Sequence, residues 1–285
     1  MTKLDQFQSV FLSADKTVLR YKKLAVKHVL VVSDLNGDAA AELSNRVRTF
    51  ISVVVDESTQ WARLDGGTFS SVKQLLDTVD EQAPDLIVTY RHLHSSAWQW
   101  PHSLGEYLDV LTQATRVPVV VLPHPDAARA LSHTLEHTER VMAITDHLSG
   151  DDRLVNYALG FTQPGGSCWL THVESLAAFD HYLDVISKIS EIDTESAREL
   201  IERQLLKGPR DYIESCRRQI AEQRLPFEIG EIVTMGRRLG EYRKLIAEHR
   251  VDLLVINTMD DDQLAMHGLA YPLAVELRQI PLLML

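Results

Sequence analysis

A strand, helix and strand pattern that occurs twice constrains the fold of this chain most. The two copies occupy residues 85–123 and 251–285, and each contains an apolar strand opened by an acidic residue, a short helix and a second apolar strand. A glycine opens each helix and a proline opens each final strand at the same spacing: Gly105 and Pro118, then Gly268 and Pro281. Two parallel strands joined by a crossover helix have this order. We interpret the pattern as an internal duplication.

The remaining apolar runs extend the pattern into an α/β alternation written twice. The predicted strands are residues 29–34, 51–55, 85–90, 117–123, 141–146, 168–173, 227–234, 251–258 and 280–285. The predicted helices are residues 37–50, 69–82, 105–115, 126–139, 151–161, 240–249 and 268–278, with two more within 175–223 that break at Lys207-Gly208-Pro209. Residues 1–26 are left open, because residues 14–24 fit a short helix and a hairpin arm equally.

The length of 285 residues is near the size at which one core divides into two domains. The predicted domains are residues 1–124 and 140–285, with a linker helix at 125–139. Strand runs without in–out alternation indicate parallel sheets that are covered on both faces. The predicted fold class is therefore α/β, with two tandem doubly wound parallel-sheet domains of Rossmann-like type.

Composition excludes several kinds of protein. The chain has 29 Lys and Arg against 40 Asp and Glu, a net charge of −11 that repels nucleic acid and anionic membrane surfaces. No apolar run reaches the roughly 18 residues of a membrane span, and the first residues lack the apolar core of a secretory signal. Cys168 and Cys216 have no metal-binding spacing and fit reduced thiols. We therefore expect a cytoplasmic protein that binds neither nucleic acid nor membranes.

The duplicated pattern resembles the universal stress protein family in its tandem two-domain form. The resemblance rests on the strands that end at Asp34 and Asp146, and on the two copies at residues 85–123 and 251–285. It implies an adenine nucleotide alpha hydrolase-like, Rossmann-like fold for each repeat and a dimer-like pairing of the two repeats. In one branch of the family it also implies ATP binding, through a loop of the form G-x2-G-x9-G-[ST] after the fourth strand.

Both copies depart from that glycine loop, whose glycines let the backbone approach phosphate oxygens. In the second copy Asn257 replaces the first glycine, and Gly268 is followed by leucine where a hydroxyl is needed. Residues 260–262 add three aspartates. In the first copy Gly105 is followed by Glu106. We therefore predict that the ATP-binding loops are degenerate in both repeats, while ATP stays a possible ligand of a divergent site.

Candidate site residues follow from the position of strand ends. The carboxyl ends of parallel strands form the ligand crevice where the strand order reverses. The resemblance places Asp34 and Asp146 near the adenine and ribose, although each also fits a carboxylate that caps the next loop. Arg237 and Arg238 precede a predicted helix, where two arginines can bind a phosphate. The candidate ligand-binding residues are Asp34, Gly105, Asp146, Arg237, Arg238, Asn257, Thr258 and Gly268.

Three further groups of residues fit a functional site and also a plainer structural role. Arg91, with the nearby histidines and tryptophans of residues 92–102, fits an anion pocket or a structured surface loop. His133 and His137 are spaced for a metal on one helix face but have no third ligand in the sequence. The aspartates 260–262 fit either a cation site or a solvated loop. We predict no metal site.

No set of catalytic residues emerges from the sequence. The first hypothesis is a non-catalytic stress-response or regulatory protein that works through protein contacts, with partners unknown. The alternative is a nucleotide-binding protein, with or without slow ATPase activity. A parallel sheet exposes its last strand as an edge, and members of the resembling family pair through it, so we also predict a homodimer.

Overall fold

The computed structural model describes residues 18–100, 102–126, 135–145, 148–190, 192–258 and 270–285. The strands are β1 His28–Val32, β2 Gln60–Leu64, β3 Leu86–Tyr90, β4 Val119–Leu122, β5 Arg140–Ile144, β6 Ser167–Ser175, β7 Glu228–Gly236, β8 Leu253–Ile256 and β9 Leu282–Met284. The helices are α1 Gly37–Phe50, α2 Val72–Gln82, α3 Glu106–Ala114, α4 Asp152–Phe161, α5 Leu176–Ile186, α6 Thr194–Glu222, α7 Arg238–Glu248 and α8 Ala270–Glu276.

The strands form one continuous sheet in the order β2-β1-β3-β4-β9-β8-β5-β6-β7. All neighbours are parallel except β4 and β9, which pair antiparallel, with Val119 opposite Met284 and Val121 opposite Leu282. The two predicted parallel sheets therefore meet edge to edge through their last strands. The α/β, Rossmann-like fold class is confirmed.

The chain order reverses between β1 and β3 in the first half, and between β5 and β8 in the second. Strands β3, β4, β8 and β9 are buried along their whole length, because they lie in the middle of the sheet. Each of these strands is a continuous run of apolar residues, and for that reason the sequence alone predicts them. The carboxyl ends of β1 and β3, and of β5 and β8, are the two candidate rims.

Two predicted elements are wrong. Residues 51–55 form turns after α1 rather than a strand, and Ile51 and Val54 bury their side chains there. The second strand lies instead at β2, an edge strand with one neighbour and little apolar pattern. The predicted break at residues 207–209 is also absent, because α6 runs continuously for 29 residues with Pro209 inside it.

Other boundaries differ in smaller ways. Most of the predicted linker helix, residues 127–134, lies outside the described residues, and residues 135–139 are not helical. Residues 18–24 have no regular secondary structure, whereas residues 1–17 are outside the described ranges. The predicted domain limits stay predictions.

Candidate functional site

Asp34 lies at the first rim, just beyond β1, and its carboxylate is fully used inside the protein. Tyr90, the last residue of β3, donates its hydroxyl proton to Asp34 Oδ1. The backbone N–H of His94 donates to Oδ2 at 2.7 Å. The backbone N–H of Asp34 also donates to the Tyr90 hydroxyl oxygen at 3.1 Å. Burial, reinforced by Asp34, raises the pKa of Tyr90, so the phenol stays protonated and holds the two strand ends together.

The space beside Gly105 is filled by the backbone of His92. Gly105 precedes α3 with φ +92°, a conformation that favours glycine. A Cβ atom there would lie 2.8 Å from both the N and Cα atoms of His92. The His92 N–H also donates to the Leu104 carbonyl at 3.0 Å. The glycine thus allows the β3–α3 loop to close on itself, where a phosphate loop would leave room for a ligand.

Arg91 turns away from this rim toward the second half of the sheet. Arg91 is 2% exposed, and its guanidinium donates to the carbonyls of Ala274 and Leu277 at 2.6 and 2.7 Å. These carbonyls lie at the C-terminal end of α8, where a cation is favourable. Burial, with a smaller effect of Arg278, lowers the pKa of Arg91 to about 9.

Of the residues that could form a cationic pocket, the buried His92 lies near Arg91, whereas the others described have different surroundings. The ring of His94 packs against Phe69 and Tyr107, with centroid distances of 4.7 and 5.4 Å. Trp100 is 62% exposed, and His102 is exposed as well. Arg91 and His94 therefore serve different contacts.

Of the six candidate residues in the second half, four lie in the described ranges and two do not. Asp146 and Gly268 are outside the described residues. The Asn257 amide donates to Asp151 Oδ2 at 2.6 Å. The Thr258 hydroxyl donates to the Leu285 carbonyl at 2.6 Å. Both polar side chains after β8 are thus bonded within the chain.

Asp151 holds the Asn257 side chain in place by accepting its hydrogen bond. Its carboxylate also caps α4 by accepting from the Leu154 N–H at 3.0 Å. Burial raises the pKa of Asp151, and the hydrogen bonds from Leu154 and Asn257 oppose that shift. Asn257 therefore stabilises a half-buried helix cap at this rim.

The two arginines of the β7–α7 turn diverge. Arg237 is exposed and occupies the N-cap position of α7. Arg238 is half-buried; its Nε donates to the Val173 carbonyl at 3.1 Å, and its Nη2 lies 3.8 Å from Glu174 Oε1. The turn therefore presents one arginine to solvent and anchors the other on β6.

A polar cluster on β6 is not predicted from the sequence. Glu174 Oε2 lies 3.3 Å from His172 Nε2, and Glu174 Oε1 accepts from the Ser175 N–H at 3.0 Å. The buried Tyr242 accepts from the Val173 N–H at 3.1 Å through its hydroxyl. The position of Glu174 at a strand end was the available signal, but its partner Arg238 lies on α7, 64 residues later in the chain.

The described residues contain neither a metal-binding cluster nor a membrane-spanning helix. Among them no cluster of three or more histidine, cysteine, aspartate or glutamate side chains is arranged to hold a metal. His133 and residues 260–262 lie outside that part of the chain, and His137 Nδ1 lies 3.3 Å from Asp252 Oδ2. None of the helices in the described ranges is long and apolar enough to cross a membrane.

Neither a family model nor a curated protein matches the sequence. The structure is similar to a universal stress protein from Archaeoglobus fulgidus, with a TM-score of 0.51 and 12% identity over 90% of this chain and 95% of that one. It is also similar to a putative universal stress protein from Pseudomonas aeruginosa, with a TM-score of 0.50 and 12% identity over 92% and 93% of the two chains. The chain has the universal stress protein fold, as its sequence pattern predicted.

Proposed function

We propose that this chain is a universal stress protein-like, non-catalytic stress-response or regulatory protein of the cytoplasm, with degenerate ATP loops in both repeats. The observation that carries the proposal is the closed first rim. Asp34 is bonded to Tyr90 and His94, and the backbone of His92 fills the space beside Gly105. A nucleotide at this rim would have to displace those contacts.

The second rim supports the same function. Asn257 and Thr258 are bonded to Asp151 and Leu285 instead of facing an open crevice. Three aspartates at 260–262 add negative charge to the segment that follows in the sequence. Like charges weaken the binding of a triphosphate unless a metal or an arginine offsets them.

An exposed apolar surface supports a role in protein contacts. Tyr182, Val185 and Ile189 lie three and four residues apart along α5 and its C-terminal turn, and are 51%, 47% and 41% exposed. Ile192 and Leu200, just before and within α6, are 43% and 60% exposed. Exposed apolar side chains that lie close together on a helix are typical of a protein interaction site.

The predicted homodimer is proposed to use that helical surface, because the outer strand β7 and the paired last strands β4 and β9 offer less. The last strands of the two halves pair with each other within the chain. The outer strand β7 has two carbonyls covered from α6: Arg217 Nε donates to Ile229 at 3.2 Å, and Arg210 Nη2 lies 3.5 Å from Val233. Covered edge carbonyls discourage strand addition. Sedimentation of a Val185→Lys variant beside the wild type tests this, and 32 kDa particles alone in the wild type at high concentration contradict the dimer.

The nucleotide question is settled by releasing and titrating ligand. The purified protein is denatured and any released nucleotide is identified by chromatography, and the ligand-free protein is then titrated calorimetrically with ATP and Mg²⁺. We expect no stoichiometric release and no heat down to millimolar affinity. Stoichiometric nucleotide would overturn the proposed degenerate loops.

The alternative function is nucleotide binding at a divergent site, with or without slow hydrolysis. The exposed Arg237 at the N-terminus of α7 is the observation in its favour, because that helix end attracts phosphate. If ATP binds, the Arg237→Ala/Arg238→Ala double variant decides whether this turn holds it. Unchanged affinity in that variant removes the alternative site.

A further inference from the structure

We propose that the free edge of β2 binds an extended segment of a partner protein in which acidic and apolar side chains alternate. Strand β2 is an outermost strand of the sheet and pairs on one side only, with β1. An extended segment that adds to such an edge binds through backbone hydrogen bonds, and pockets for its alternate side chains give specificity. The edge lies at the opposite end of the sheet from β7 and the helices α5 and α6, so it is separate from their exposed apolar side chains.

Two residues of β2 direct their backbone groups away from β1. The N–H of Gln60 and the carbonyl of Leu64 both bond to the β1 side, at 2.7 and 3.0 Å. Because alternate residues of a strand bond to the same side, Trp61 and Arg63 point their N–H and C=O groups outward. In the part of the chain that the structure describes, no hydrogen bond reaches these four groups. The edge therefore presents two donors and two acceptors to an added strand.

Strand β2 lacks the side-chain cover of the other outer strand. On β7, Arg217 of α6 donates from its Nε to the Ile229 carbonyl at 3.2 Å. On β2, Arg63 pairs with Asp65 at 3.3 Å instead of with the backbone of its own strand. The edge of β2 is therefore open to strand addition, whereas that of β7 is covered.

A cavity of about 360 Å³ lies on the α1 face of β2. Trp61 and Arg63 line it from β2, and Asn45 and Arg48 line it from α1. Partner residues opposite Trp61 and Arg63 direct their side chains to this same face, because facing residues of neighbouring strands share a face of the sheet. The cavity is thus placed to receive two alternate side chains of the partner.

Arg48 gives the cavity a positive charge that no described carboxylate balances. Its guanidinium lies over the Trp61 ring, with Cζ 4.2 Å from the ring centroid. Arg63 already pairs with Asp65, and none of the described residues that line the cavity is acidic. An excess of one positive charge therefore lies here, in a chain of net charge −11. A partner carboxylate is the complement, because it pairs with the edge of a guanidinium whose face is held by a ring.

The opposite face of β2 favours an apolar partner residue between the two acidic ones. Ala62 lies on that face, half-buried and packed against the hydrophobic core. An apolar side chain of the partner packs beside Ala62 as its cross-strand neighbour. The recognised pattern is therefore acidic, apolar, acidic.

Calorimetric titration of the full chain with a capped peptide of alternating glutamate and valine tests the proposal. We expect one peptide per chain at low salt, with a dissociation constant below about 1 mM. A peptide of alternating lysine and valine should bind at least tenfold more weakly, as should the glutamate peptide with every backbone nitrogen methylated. No heat from the glutamate peptide at millimolar concentrations overturns the site. Equal affinity of the methylated peptide overturns strand addition, and equal affinity of the lysine peptide overturns the charge preference.

Variants of β2 and α1 test the residues responsible. Arg63→Pro should weaken the glutamate peptide at least tenfold relative to Arg63→Val, because proline removes an outward N–H that β1 does not use. Equal affinity in these two variants overturns the proposal, and the methylated peptide decides if Arg63→Pro does not fold. Arg48→Gln should weaken binding about threefold to fivefold, the effect of an exposed ion pair. Arg46→Gln, exposed on the same helix but outside the cavity, should leave it unchanged, and equal effects of the two would refute the role of Arg48.

A second copy of the chain is the other possible occupant of the edge. It would bring Arg48 and Arg63 of both chains together, and like charges disfavour such a pairing. A wild-type dimer that Arg63→Pro dissociates in sedimentation would assign the edge to a second copy and overturn the partner segment. A dimer that Val185→Lys dissociates and Arg63→Pro retains supports the free edge. The nucleotide titration does not involve β2, so its outcome is independent of this one.

Discussion

The carboxylate of Asp252 holds Arg140 at the amino edge of the sheet by three contacts. Oδ2 accepts from the Arg140 backbone N–H at 2.9 Å, and the guanidinium approaches the two oxygens at 3.4 and 3.2 Å. Asp85 has the same place in the first half, where it accepts from the backbone N–H groups of Lys27 and His28 at 2.9 and 3.0 Å. In each half, the acid before one strand fixes the first residues of a neighbouring strand.

Replacing Asp252 with alanine should lower the free energy of unfolding by about 2–4 kcal/mol, because it leaves a buried backbone donor and a partly buried arginine without their partner. The side chain of Asp252 is 3% exposed, so water cannot easily substitute. Urea denaturation measures the loss, and Asp80→Ala on the exposed face of α2 is the control. A loss below about 0.5 kcal/mol, the range of ordinary surface substitutions, would contradict the role given to Asp252.

Gly105→Ala should destabilise the protein by about 2 kcal/mol or more, because the new Cβ meets the His92 backbone and φ is positive. Gly240→Ala is the matched glycine control: it lies in α7 with nothing within 4 Å of its Cβ position. There alanine should stabilise by about 0.5–1 kcal/mol through helix propensity. Equal effects of the two substitutions would refute the closed loop at Gly105.

Stability should fall on acidification partly because of His92. Burial, then the nearby cations, lowers the pKa of His92. A histidine with a lowered folded-state pKa contributes stability that is present above its unfolded value of 6.5 and is lost as pH falls through the folded value. The free energy of unfolding should therefore drop between pH 7.5 and 5.5.

The His92→Asn variant should show a smaller drop over that interval, whatever its stability at pH 7.5. His137→Asn is a suitable comparison, since His137 is less enclosed than His92. The same drop in the His92→Asn variant and the wild type would show that other groups cause the acid sensitivity.

Gly208→Ala should stabilise the protein by about 0.5–1 kcal/mol, because Gly208 lies within the continuous helix α6. The nearest atom to its Cβ position is Ser149 Oγ at 3.4 Å, an ordinary contact distance. Thermal unfolding measures the gain. A lower melting temperature would indicate that the helix needs a glycine before Pro209, as the break predicted from the sequence had implied.

The elements that the sequence predicted correctly are those set by their own burial. Strands β3 and β8 show as apolar runs after Asp85 and Asp252, and both are central in the sheet. Strand β2 was missed because it is extended only through its pairing with β1. The β-branched run at 51–55 buries its apolar side chains in turns instead of in a strand. Both a paired strand and a buried turn remove apolar side chains from water. The local sequence pattern therefore cannot distinguish one from the other.

For the candidate site, the sequence likewise predicts the position of a residue but not its distant partners. Asp34 was placed at the first rim by its position after a strand, yet its bond to Tyr90 joins residues 56 apart. Arg91 fitted either an anion pocket or a structured surface loop, and it reaches carbonyls 183 and 186 residues away. Such partners are set by the junction of the two halves, which has no local signal. Residues such as Asp146 and Gly268 stay predictions.

The antiparallel pair of β4 and β9 has a consequence for synthesis. Residues 119–122 leave the ribosome long before residues 282–284, which are their partners in the middle of the sheet. At about 5–20 residues per second, β4 waits roughly 10–30 s with its Val-Val-Val-Leu edge unpaired. During that time, β4 of one nascent chain can pair with β9 of a neighbouring chain that is made on the same messenger RNA. A swapped dimer formed in this way would retain every strand pair of the monomer.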